Sequence, residues 1–222
     1  GVFVIRPIYE DAGKFNNGLA AAKYEGQWGY INSKGTWVVQ PQFAAAEAFQ
    51  GDVAVVYDEA RRWGLVHKSG QIITPPQYNV VENLSEGRFS ENLAVVVLDN
   101  KCGYIDTNGQ MVINPVFEWV GDFHNGLAPF RYKDKYGYMN ITAQLHIEPR
   151  FEEAQIFSEG LAAVRIREQW LYLDTEGNIV ILPRYLDAVK PFKQGLGWIE
   201  KNEMWAYINK SGQVVWLEDE IL

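Results

Sequence analysis

At 222 residues, 47% apolar and 14% aromatic, the chain holds enough apolar material for one large all-β domain or two smaller ones, and its composition excludes disorder. Its formal charge of −8, from 28 acidic and 20 basic residues, argues against a phosphate-binding surface as the main function, so no nucleic-acid partner is expected. The single cysteine, Cys102, cannot form an internal disulfide, and no run of about 18 apolar residues is present to make a transmembrane helix, so no membrane insertion by this segment is expected.

In chain order, Val4-Ile5-Arg6-Pro7-Ile8-Tyr9 comes first and matches only the end of the units that follow. The chain begins without an initiator methionine, as a piece cut from something longer would, and its opening apolar stretch is too short for a signal peptide. From residue 15 a pattern recurs. Link phenylalanines fall at Phe15, Phe49, Phe89, Phe123, Phe157 and Phe192, at steps of 34, 40, 34, 34 and 35 residues. The step of 40 reflects an insertion at residues 85–89, with one further residue before the next strand. The expected organisation is a single repeat domain over 1–222, with a partial unit 1–14 and units 15–48, 49–88, 89–122, 123–156, 157–191 and 192–222.

Within a unit, apolar stretches of four to six residues separated by short polar turns predict a three-stranded β-meander. The first strand opens on an aliphatic followed by a small residue, as in Leu19-Ala20, Leu127-Ala128 and Leu196-Gly197, which implies close packing on that side. The second strand reads Trp28-Gly29-Tyr30-Ile31, Trp63-Gly64-Leu65-Val66, Cys102-Gly103-Tyr104-Ile105, Tyr136-Gly137-Tyr138-Met139, Trp170-Leu171-Tyr172-Leu173 and Trp205-Ala206-Tyr207-Ile208. Alternation places its aromatics on one face and the glycine and aliphatic on the other. Cys102 stands in a tryptophan column and reads as a buried packing thiol. Asn32-Ser33-Lys34-Gly35 and its counterparts suit a type I turn closed by a left-handed glycine, whereas Ala143 in the fourth unit predicts an altered or looser turn. Successive apolar residues, as in Met111-Val112-Ile113, predict a third strand covered on both faces. Pro-x-aromatic, as in Pro41-Gln42-Phe43, is expected to end that strand and turn the chain out of the sheet. Ala46, Val81, Val120, Ala154 and Ala188 lie midway to the next phenylalanine and predict one helical or 3₁₀ turn.

Gly-Leu-Ala, Trp-Gly-Tyr-Ile, a turn ending in Gly, and Pro-x-Phe ahead of the next link phenylalanine resemble the bacterial WG-containing repeat, also called the KWG repeat. The resemblance covers essentially the whole chain. The departures are Cys102 and Tyr136 for tryptophan, and Leu171 and Ala206 for glycine. The resemblance implies a bacterial origin and a β-rich repeat architecture; it carries neither a reaction nor catalytic residues. The expected fold is all-β, with tandem three-stranded β-meander repeats (six plus a partial N-terminal one) stacked as an open solenoid-like array. The alternative is a closed six-bladed propeller-like ring. In the open form, the acidic tail Glu218-Asp219-Glu220 is expected to discourage end-to-end pairing.

No constellation points to catalysis, and no cofactor is expected. His67, His124 and His146 lack metal-ligand spacing. The acidic pairs Glu10-Asp11 and Glu152-Glu153 recur in one link column and read as a solvated link, and most aromatic columns read as core. The informative residues break their columns. One first-strand column runs Lys23, Tyr57, Val97, Arg131, Arg165, Glu200, the varied occupancy expected of a binding surface on a fixed scaffold. Trp37, Trp119 and Trp198 are likewise unlike their counterparts. The candidate binding surface is therefore Trp37, Trp119, Trp198, Tyr57, Arg131 and Arg165. The expected function is a non-catalytic scaffold with a protein partner; the alternative is an extracellular glycan or cell-wall binding module using exposed Trp and Tyr, and an enzyme comes third. An extracytoplasmic bacterial location is favoured over others.

Overall fold

Alternating apolar and polar side chains, cut every few residues by turn formers, leave the backbone no route to a helix, and the described residues contain none. In the computed structural model, which describes residues 4–80, 87–182 and 186–217, the chain is all-β. It forms six open antiparallel sheets in tandem, none closed on itself. Two compact units are present: residues 1–99 with 104–111, and residues 100–103 with 112–222.

The first sheet shows the plan. Leu19–Tyr24 pairs antiparallel with Gln27–Asn32, Ala21 opposite Tyr30, and Gln27–Asn32 pairs with Trp37–Phe43. A fourth strand lies outside Leu19–Tyr24: Asp11–Ala12, with Asp11 opposite Lys23. Five sheets have this fourth, two-residue strand, supplied by Ala45–Ala46, Trp119–Val120, Glu153–Ala154 and Ala188–Val189 in the others. The expected helical turn at Ala46, Val120, Ala154 and Ala188 is thus corrected to an edge strand, because the link's amides find carbonyls on the following sheet. Val81 lies outside the described residues.

The third strand also departs from expectation. It is an outer strand, so its apolar residues are open on one side: Val112 is 42% and Ile179 57% exposed. Nor does its proline end it. Pro41 lies inside Trp37–Phe43, where Val39 opposes Tyr30 and Phe43 opposes Trp28, so residues 40–42 arch over Gly29 alone. The arch explains the glycine. A Cβ on Gly29 would lie 2.4 Å from the Val39 oxygen and 2.8 Å from the Pro41 nitrogen. The fourth repeat repeats this geometry at Gly137, 2.5 Å from the Ile147 oxygen and 2.8 Å from the Pro149 nitrogen. Ala206 carries a real Cβ and pairs directly with Leu217. With Leu171 the third strand is only Ile179–Ile181, and residues 183–185 lie outside the described set.

Closing turns follow expectation in the first repeat, where the Gly35 amide donates to the Asn32 carbonyl (2.9 Å) and the Asn32 side chain accepts the Lys34 and Thr36 amides. The fourth repeat corrects the expectation of a looser turn. Ala143 adopts φ 59 and keeps the same bond to Asn140 at 2.9 Å, an alanine held in the left-handed region by the surrounding hairpin.

The core lies between consecutive sheets. Leu19, Ala21, Tyr30, Val39 and Phe43 of one repeat bury against Phe49, Ala54, Val56 and Val66 of the next. Small residues in the first strand let the sheets approach. The tyrosine column does the fastening: Tyr30 stacks edge-on to Phe49 (centroids 4.8 Å) and its hydroxyl donates to the Glu47 carbonyl at 2.7 Å. Tyr138 repeats this with Phe157 and Gln155, and Tyr172 with Phe192 and Lys190. Burial pushes all three phenols above their ordinary range.

Candidate interaction surface

The Lys23 to Glu200 column lies at the hairpin end of each first strand, on the face that carries the tyrosines but beyond the core. Its members oppose the link strand on one side and the tryptophan column on the other: Arg131 faces Trp119 and Tyr136, and Arg165 faces Glu153 and Trp170. Five members are partly exposed, whereas Val97 is 3% exposed and belongs to the core. This geometry brings two candidates together. The Trp119 ring stands edge-on to Tyr136 at 5.5 Å beside Arg131, whose guanidinium pairs with Asp134 across the hairpin turn. The Arg131 Nε is buried with no acceptor among the described residues.

The other four stand apart. Arg165 is held by Glu153 at 2.6 Å and Glu152 at 3.6 Å. Tyr57 donates to the Glu47 carboxylate at 2.7 Å and borders a cleft of about 470 Å³ with Asp58, Glu59 and Arg61. Trp37 is half-buried, its ring 5.4 Å from Tyr9, and fills the space beside Ile5 and Ala22. Trp198 lies under the Lys190 ammonium, 4.5 Å from its ring centre, in a cleft of about 590 Å³ shared with Lys193, Gln194, Trp205 and Tyr207.

The acidic link residues have a task that sequence reading missed. The Glu152 carboxylate accepts the amides of Arg167 and Glu168 (3.0 Å each), two non-glycine residues at φ 50 and 63 in the tip of the next hairpin. These amides, that of Glu168 foremost, hold the carboxyl below its ordinary range. Glu10 and Asp187 accept from Gly26 and Asn202 in the same way. Among the described residues no cluster of three or more His, Cys, Asp or Glu side chains could hold a metal ion. His67 instead contacts the Ser69 hydroxyl (2.8 Å) and His146 the Thr175 carbonyl (2.7 Å).

A family model described as WG containing repeat matches residues 1–28, 28–59, 63–102, 103–136, 136–170 and 172–205. The chain belongs to the WG-containing repeat family. No curated protein matches it. Among solved structures, this WG-repeat chain is similar to a eukaryotic initiation factor, at 12% identity and TM-score 0.55, covering 94% of this chain and 65% of that one. It is also similar to Hsv2 of Kluyveromyces lactis, at 10% identity and TM-score 0.52, covering 88% of this chain and 71% of that one. BamB from Moraxella catarrhalis matches at 12% identity and TM-score 0.48, over 90% and 70% of the two chains. At these identities the likeness to the first two is one of fold alone.

In WG-repeat terms, Trp-Gly is a division of labour: the aromatic packs opposite the first-strand column, fully buried at Trp63 and half-buried at Trp28, and the glycine admits the arching third strand. What sequence reading overlooked is the sixth repeat. Leu161, Ala163, Trp170 and Tyr172 of the fifth are 8%, 1%, 6% and 0% exposed, yet Leu196, Trp198, Trp205 and Tyr207 of the sixth are all partly open and Trp216 is 46% exposed. One signal was legible: Trp198 occupies a column that holds Ala21, Val55, Val95, Pro129 and Ala163 in the other repeats.

Proposed function

We propose that this WG-repeat protein is a non-catalytic scaffold that binds a protein partner along the rim of its sheets. One observation carries the reading: a single backbone position, in the same register in five of the six sheets, displays Lys23, Tyr57, Arg131, Arg165 and Glu200, while the third sheet buries Val97 there. A scaffold that holds unlike side chains in equivalent places sets specificity without altering its fold. The Trp119, Arg131 and Tyr136 cluster supplies aromatic and guanidinium groups of the kind that anchor protein interfaces. Capture of partners from a bacterial extract with the wild-type chain and with Trp119→Ala and Arg131→Ala tests it. A partner retained by wild type and lost by both variants supports the reading, and a partner set indifferent to both sinks it. A second reading, a glycan-binding module, is favoured by the Trp198, Trp205 and Tyr207 cleft. Saturable polysaccharide binding lost in Trp198→Ala would establish it instead.

A further inference from the structure

The hairpin tips share a backbone shape and differ in how their amides are used. Arg167 and Glu168 adopt φ 50 and 63, and the Glu152 carboxylate accepts both of their amides at 3.0 Å. Successive amides turned to one side in this way form a small anion-binding concavity. Glu10 and Asp187, from the same link position, accept the Gly26 and Asn202 amides in the first and sixth repeats. The chain itself thus shows what such a tip binds, which is a carboxylate.

The fourth tip has the same shape and a different surrounding. Lys133 and Asp134 adopt φ 47 and 61, close to the values of Arg167 and Glu168. Among the described residues no side chain accepts either amide. Glu118, in the link position of Glu152, is exposed, and among the described residues its carboxylate makes no hydrogen bond or ion pair.

Charge singles out the same tip. Arg131, Lys133 and Lys135 against Asp134 give residues 131–135 a net charge of +2 in a chain of −8. The corresponding stretches 23–27, 57–62 and 97–101 carry no net charge, 165–169 carries +1 and 200–204 carries −1. In the fifth repeat Arg165 is already held by Glu152 and Glu153. In the fourth, Asp134 is drawn to Arg131, and Lys133 and Lys135 stand exposed with no ion pair among the described residues. Beside them is an apolar seat: the Tyr132 ring is 54% exposed, with the Lys133 ammonium 5.1 Å from its centre.

We propose that the hairpin tip at Lys133-Asp134 binds an acidic protein segment. One Glu or Asp carboxylate of the segment accepts the Lys133 and Asp134 amides as Glu152 does those of Arg167 and Glu168, a second lies between Lys133 and Lys135, and a neighbouring apolar side chain covers Tyr132. The proposal rests on the protein-scaffold reading and gives its partner a chemistry. A long polyanion suits the tip less well, because the exposed Glu118 and the negative charge of the whole chain oppose it beyond the hairpin.

The test is an amide NMR titration of the full chain with an end-capped Glu-Glu-Phe peptide, a Gln-Gln-Phe peptide as neutral control and heparin as polyanion. The acidic peptide should shift the Lys133 and Asp134 amides saturably, and the neutral one should not. Lys133→Asn combined with Lys135→Gln keeps residues that suit the turn and should weaken binding by at least about tenfold. Acidic peptide that leaves these two amides unmoved, binds the double variant equally well, or is matched at the tip by the neutral peptide or by heparin overturns the proposal. A partner captured through Trp119 and Arg131 by wild type and double variant alike overturns this inference alone and leaves the scaffold reading standing.

Discussion

The first and sixth repeats run the same second strand with one atom's difference at its centre, and their third strands part company there. Over Gly29 the third strand arches so that three residues span one, carrying Pro41 through the sheet and returning Phe43 to Trp28. Opposite Ala206 the third strand pairs directly through Leu217. The lesson is that the glycine of the Trp-Gly pair is a clearance for backbone, and that the proline motif depends on it: Pro41, Pro115 and Pro149 stand over a glycine, and the sixth repeat has lost both.

The harshest way to break the contrast is to fill the clearance. Gly137→Leu should cost about 3 kcal/mol or more in denaturant melts, since its Cβ meets backbone on every side, whereas Ala206→Gly should change stability by less than about 1 kcal/mol. A smaller effect sharpens the difference between covered and open faces. Tyr138→Phe removes a buried hydroxyl that donates to the Gln155 carbonyl and should cost about 1–2 kcal/mol; Tyr207→Phe, at a partly open ring, should be nearly neutral. Ala143→Gly should instead stabilise by about 1 kcal/mol in thermal melts, because it relieves the left-handed alanine of the fourth repeat and leaves the Gly35 turn as the common form.

The smallest effect concerns pH. Asp52, Asp58, Glu152, Glu159 and Asp174 are all held below their ordinary ranges, Glu152 and Glu159 chiefly by backbone amides and Asp52 by Lys68. A carboxyl lowered in the folded state contributes stability above its unfolded value, about 4. That contribution is lost as pH falls through the folded value. Thermal stability should therefore decline below about pH 4, and Glu152→Gln should make the decline slightly shallower. A steeper decline in that variant would contradict the assignment of its carboxylate to the Arg167-Glu168 turn.

Much of the fold could be read from columns of side chains, because burial between sheets selects residue size at fixed spacing: Ala128, Tyr138 and Phe157 announce the core they occupy. What escaped reading has no side-chain signature. The two-residue link strand pairs through its backbone, so Ala154 and Ala188 look the same in a turn or a strand. The third strand has the successive apolar residues of a buried strand, yet Val112 and Val180 lie at a sheet edge. The candidate surface suffered accordingly. Arg131 and Trp119 were each conspicuous by breaking a column, but their adjacency depends on the link strand and could not be inferred without it.

The most direct test of the clearance is a crystal structure of Gly137→Ala. The geometry predicts that Tyr136 no longer opposes Phe151 and that residues 148–150 shift off the second strand or flatten into its register, as at Ala206. An unchanged arch, with Ile147 still opposite Tyr138 and the new methyl seated beneath Pro149, would show that the glycine is not what lets the third strand cross.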